Sequence, residues 1–344
     1  MLLYMATTLG YVSTYSRITY SRYFFLLQYR GGIYRYRVLG TNAILVLSFL
    51  VHHLGLNLAT MSVVSLPYSS SFDLFTSFVI LNGISFVGFT LLMFAVTAIN
   101  RQWVVPYIMI VTMGIASAYV VTPYDDLSYL LLAAVVIVGL AERPWSWPVC
   151  LILSVAGTAN RESFFIGVAV LAAVMLARST LPIGVRSPEA AFFRRNNSLA
   201  ASTLAAVVGS VGSYLVVRIF YSEPTDHTSF WQPIPLKFNL NSSSLIAAII
   251  VLLGAAVLVA ELPAFADRTS IARSWYSRAT IYLWLLSIPY LAVTFVGGTW
   301  FEAPRLIFPL AIAQYLLRWY ADTQLDKNMC AVSNSPSMPS EYSK

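Results

Sequence analysis

Residues 145–177 read WSWPVCLILSVAGTANRESFFIGVAVLAAVMLA, two apolar runs on either side of one polar knot, Asn160-Arg161-Glu162. A bilayer core takes about 20 helical residues per crossing, so this stretch is too short for two full crossings and a turn. The knot is therefore expected below the membrane surface, at the bottom of a depression. Non-helical backbone survives at that depth only where protein or a water-filled cavity surrounds it. An ionisable side chain placed there costs about 2.5–3.5 kcal/mol on insertion scales. Adjacent residues on a helix point in different directions, so Arg161 and Glu162 pair poorly with each other unless the helix breaks between them. A cavity lined by these groups is the expectation.

The rest of the chain agrees with a membrane setting. Of 344 residues, 58% are hydrophobic and 10% charged, and the mean hydropathy is +0.72. A soluble domain carries about 25% charged residues. The net charge of +7 does not point to nucleic acid, because the basic residues are spread over segments that flank apolar runs. Cys150 lies in an apolar run and Cys330 in a polar tail, which excludes a disulfide framework and leaves no Cys/His spacing for zinc. The expected fold class is all-α, a polytopic transmembrane helix bundle.

About ten spans are predicted, over 41–66, 74–99, 103–121, 127–140, 147–160, 163–177, 199–220, 243–262, 279–296 and 304–320. They divide the chain into a basic segment 1–40, a membrane domain 41–320 and a Ser-, Pro- and Asn-rich tail 321–344 expected to be disordered. No fixed-period repeat is present. Gaps on one side hold most of the Arg and Lys, from Arg17 through Arg143, Arg178, Arg194 and Arg278 to Lys344, and those on the other only Arg161, Lys237 and Arg305, with Arg218 near a helix end. That bias orients the chain with both termini in the cytoplasm.

On this count the outward gaps hold Asp73, Asp125, Asp126, Asn160, Arg161, Glu162, Glu302 and Arg305. Carboxylates and guanidiniums gathered at one bilayer surface suit chemistry on a lipid-borne anion. Blander roles are open at each position. Asp125 or Asp126 can cap the following span, and Asp73 likewise. Glu302 and Arg305 can form a surface pair worth under about 1 kcal/mol. Glu223, Asp226 and His227 have ligand chemistry for a divalent ion at a nonspecific spacing.

Tyr124-Asp125 at the head of one span, Thr158-Ala159-Asn160-Arg161-Glu162-Ser163 after the next, and Glu302-Ala303-Pro304-Arg305-Leu306 before the last resemble a group of polytopic bacterial membrane proteins similar to GT-C glycosyltransferases. Ser163 stands where that group often has Thr. Tyr36-Arg37-Val38-Leu39 resembles a segment that in the group often follows an earlier span, for which residues 1–12 are too short. The resemblance implies transfer of a sugar from a polyprenyl-phosphate donor to an acceptor at the outer face of a bacterial plasma membrane. It makes Asp73, Asp125, Asp126 and Glu162 the catalytic candidates. Asn160, Arg161, Glu302 and Arg305 become the substrate-binding ones. The expected partners are membrane lipid and a lipid-linked sugar. No cofactor is required, though a divalent metal beside Asp126 fits the scheme. A transporter or flippase for an anionic lipid-linked molecule, and a non-catalytic assembly subunit, are the alternatives. The first prefers charges at the midplane and broken helices in related halves; the second makes the outward carboxylates dispensable.

Overall fold

A computed structural model describes residues 37–57, 71–100, 125–180, 197–221, 270–297 and 303–333, together with Phe25, Leu245 and Ile249. The described residues are 93% helical, with no strand. The elements are α1 (Val38–Leu54), α2 (Phe72–Asn100), α3 (Asp125–Leu140), α4 (Ser146–Asn160), a 3-10 turn (Glu162–Phe164), α5 (Phe165–Ser179), α6 (Asn197–Tyr221), α7 (Ser270–Gly297) and α8 (Ala303–Ser333). Three described helical stretches are long and apolar enough to cross a membrane: Phe72–Val96, Glu162–Ser179 and Asn197–Phe220. Val38–Leu54 and Asp126–Leu140 are apolar but shorter.

The distribution of side chains is inverted relative to a soluble bundle. Ile84, Val87, Leu91 and Phe94 on α2 recur at three- and four-residue steps and are exposed, as are Leu204, Val208, Val211, Leu215 and Ile219 on α6. Ser85, Ser154, Thr158, Ser202, Ser210 and Ser213 are buried instead. Lipid does not drive apolar side chains inward, so helices in a bilayer associate through small residues and interhelical hydrogen bonds. The α4–α6 contact, the most extensive in the bundle, shows both. A Cβ on Gly209 would lie 2.9 Å from the Leu151 carbonyl oxygen, and the Ser213 hydroxyl donates to the Val155 carbonyl at 3.0 Å.

Bonds between helix ends establish the directions. The Ser198 hydroxyl donates to the Arg143 carbonyl at 2.8 Å, Arg278 to the Thr180 carbonyl at 2.6 Å, and Arg178 to Glu142 at 2.6 Å. These gather the end of α3, the start of α4, the end of α5, the start of α6 and the first half of α7. At the opposite end Asn160 meets Ser128, Glu162 meets Arg218, and the Tyr129 and Phe308 rings touch edge to face. That end collects the starts of α3, α5 and α8 and the ends of α4 and α6. The expected up-and-down order therefore holds for these helices.

Several boundaries differ from expectation. The span predicted over 41–66 stops as helix at Leu54, because Gly55 takes a left-handed φ of +64° and the chain closes with N–H bonds from Gly55 to His52 and from Leu56 to Val51. Helix α7 begins at Ser270 rather than 279, and α8 continues past 320 to Ser333, into residues assigned by composition to the tail. Residues 321–333 hold no Pro or Gly to stop a helix, and Arg318 and Asp322, four apart, face each other at 3.9 Å. The predicted spans 103–121 and 243–262 lie outside the described residues apart from Leu245 and Ile249, as do residues 334–344 and most of 1–40.

Candidate functional site

The Asn160 end is built around a broken helix. Helices α4 and α5 have 15 residues each, about 22 Å at 1.5 Å per residue, against a hydrocarbon core of about 30 Å. Between them Arg161 is extended, with φ −165° and ψ 145°. Its N–H still bonds to the Gly157 carbonyl at 2.9 Å, and its own carbonyl accepts from Phe164 at 3.1 Å, which starts the 3-10 turn. Gly157 makes the bend feasible. A Cβ there would sit 2.1 Å from the Phe164 ring, which is fully buried under the turn.

The turn packs against α3, α4, α5 and α8. Asn160, 0% exposed, donates through Nδ2 to the Ser128 hydroxyl at 2.8 Å and so fastens the turn to the first turns of α3. Arg161 is 6% exposed and Asp126, two residues before Ser128 on α3, is 2% exposed. Asp125 opens α3. The hydroxyls of Thr158 and Ser163 are buried here with no hydrogen-bond partner among the described residues. Helices α3, α5 and α8 present their N-termini to this region, where backbone N–H groups and the helix dipole favour an anion. Helices α4 and α6 present their C-termini.

Glu162 does not pair with Arg161. Its carboxylate, 43% exposed, faces Arg218 from α6 at 3.9 Å. Arg218 lies over the Tyr214 ring at 5.1 Å, and that ring meets Phe165 at the start of α5. Arg218 was legible in the sequence only as a charge near a helix end, yet it belongs to this cluster. Arg305 falls in the first turn of α8. Pro309, four residues on, has no N–H for the Arg305 carbonyl, which loosens that turn.

The remaining candidates are placed elsewhere or not described. Asp73 does not cap α2; Ser71 does, accepting from the Leu74 N–H at 3.4 Å. Asp73 instead bonds to His52 at 3.1 Å, at the junction of α1 and α2. Glu302, Tyr124, Glu223, Asp226 and His227 lie outside the described residues. Among the described residues no three His, Cys, Asp or Glu side chains converge as a metal ion would require.

A second charged cluster sits at the opposite end and has no counterpart among the sequence-derived candidates. Arg178, in the last turn of α5, donates through Nη2 to Glu142 Oε1 at 2.6 Å and to the Tyr320 hydroxyl of α8. Tyr320 in turn donates to the same Glu142 oxygen. The Arg178 and Glu142 side chains are 2% and 16% exposed. Glu142 ends α3 in the left-handed region, with φ +56°, where glycine is the usual occupant. A non-glycine residue there costs roughly 1–2 kcal/mol, and the bonds to Arg178 and Tyr320 offset it. The sequence signal was a Glu-Arg-Pro run directly after an apolar helix with no glycine to close it. Comparison with protein-family models, with curated proteins and with solved structures gives no match for this chain.

Proposed function

We propose that the protein is a membrane glycosyltransferase of the GT-C type, moving a sugar from a polyprenyl-phosphate carrier to an acceptor at the outer membrane face. The observation that carries this reading is Arg161: an arginine 6% exposed, on extended backbone at the break between α4 and the 3-10 turn that leads into α5. Ionisable groups buried within an apolar helix bundle of a membrane protein mark function by default. The Lys/Arg asymmetry supports placing this end outside.

In this scheme the acceptor hydroxyl gives its proton to an aspartate. Its oxygen bonds to the anomeric carbon while the bond from that carbon to the phosphate oxygen breaks. The electron pair leaves on the polyprenyl phosphate. Arg161 and Arg305 hold that phosphate, because charge-assisted donors aimed at developing charge act most strongly where water is excluded. Glu162 orients Arg218 beside them, and Glu302 is assigned the same role toward Arg305. Asp125 and Asp126 open the helix to which Asn160 is fastened, whereas Asp73 is engaged by His52 at another junction. The base is therefore sought first at 125–126.

The test is transfer of labelled sugar from polyprenyl-phosphate donors in membranes carrying the wild-type chain and the single variants Asp125→Asn, Asp126→Asn and Asp73→Asn. Loss of transfer in one of the first two, with normal insertion, supports the reading. No transfer by the wild-type chain, or full activity in all three variants, overturns it and moves the transporter and assembly readings ahead.

A further inference from the structure

Helix α3 carries Asp125, Asp126 and Ser128 near its first residue and leads into Glu142 at its far end. Helix α5 follows directly on Arg161 and Glu162 and ends with Arg178 in its last turn. Helix α8 starts beside Arg305 and carries Tyr320 on the way to Ser333. The three helices whose beginnings form the Asn160 end are thus the three joined by Glu142, Arg178 and Tyr320. One Arg178 nitrogen bridges the other two groups, and Trp275 of α7 lies against the Tyr320 ring.

Two features set this cluster apart from an ordinary boundary ion pair. Glu142, a non-glycine residue just past the end of α3, adopts a left-handed backbone, and its side chain joins Arg178 and Tyr320. The Nε and Nη1 atoms of Arg178 are buried without a hydrogen-bond partner among the described residues, so among those residues the guanidinium is held through Nη2 alone. Buried ionic groups are best attested as devices that fix register between elements, at a cost in stability that apolar packing would not incur. Helices with small-residue contacts and slippery apolar faces are where such a register device has most effect.

We infer that Glu142, Arg178 and Tyr320 form a register lock that positions the Asn160 end through α3, α5 and α8. They are positioning residues, remote from the reacting atoms. Their role in catalysis rests on the proposed glycosyl transfer, while their mechanical role does not. If the lock opens, the three helices gain freedom to slide, and the turn at Asn160–Glu162 loses its fixed relation to Asp126.

The experiment places a single cysteine at Ser163, which is buried in the turn, in a chain with Cys150 and Cys330 replaced by alanine. Labelling by a small thiol reagent is followed in purified protein carrying Tyr320→Phe, or the neutral pair Glu142→Gln with Arg178→Gln. Both changes avoid leaving a lone buried charge. Labelling of a buried thiol follows the population of opened molecules, and loss of the lock is expected to raise its rate about 5–30-fold while the protein still unfolds cooperatively. In the variants without the added cysteine, the donor KM should rise more than kcat falls. A labelling rate equal to the parent's in both folded variants overturns the lock. Absence of transfer by the parent chain with faster labelling in the variants upholds the lock and removes only the glycosyltransferase reading.

Discussion

The two ends of this bundle handle charge in opposite ways. At the Arg178 end an arginine, a glutamate and a tyrosine bond to one another at close range, with the arginine sealed from solvent and the glutamate mostly covered. At the Asn160 end the ion pair of Glu162 with Arg218 is open at 3.9 Å and partly exposed, and the buried turn is fastened by an amide-to-hydroxyl bond instead. Opposite charges that have already met have little field left for a ligand. At the Asn160 end three helix N-termini converge beside the turn, and their dipoles favour an anion. On the proposed reading, the difference separates a part that holds the bundle from a part that would receive an anion.

The largest effect on stability is expected at the sealed end. Arg178→Ala removes the cationic partner of a mostly covered Glu142, which keeps its bond from Tyr320, and should cost up to about 3–5 kcal/mol, read as a loss of thermal stability in mild detergent. An unchanged unfolding midpoint would show that the two ends do not differ in the way described. Next comes Gly157→Ala. Its methyl group would displace the Phe164 ring, and overpacking of this kind costs about 1–3 kcal/mol. It should also expose the turn, measurable as faster thiol labelling at Ser163→Cys. The smallest effect is expected for Glu162→Gln. The pair it breaks is long and exposed, worth below about 1 kcal/mol, so thermal stability should hardly move while transfer changes.

Much of this was legible in the sequence, and what was not has physical causes. The polar knot within 145–177 marked the chain break at Asn160–Glu162, where the helix does stop. The run of apolar and basic segments foretold the alternating directions of α3 to α6 and of α7 and α8. The stop at Gly55 was masked by apolar residues that continue beyond it, since hydropathy does not report a left-handed φ. The tail's composition hid the helix through Ser333 because its Ser, Pro and Asn are concentrated after that residue. Glu142 was overlooked since a charge next to Arg143 reads as boundary decoration. Its partners lie 36 and 178 residues away in sequence, and only the fold brings them together. The same holds for Arg218 and Glu162. Asp73 looked like a cap from its neighbours, but its partner His52 comes from the preceding helix.

The central claim is that Arg161 receives the leaving phosphate of a lipid carrier, and its most direct test is the rate of sugar transfer by Arg161→Ala. Membranes with equal amounts of inserted wild-type and variant protein would be given the same polyprenyl-phosphate donor. Removal of one transition-state donor costs on the order of 10²–10³ in rate, and Arg161→Lys should recover only part of it because lysine lacks the bidentate fork. The account predicts that loss and that partial recovery. Near-normal transfer by Arg161→Ala would contradict it.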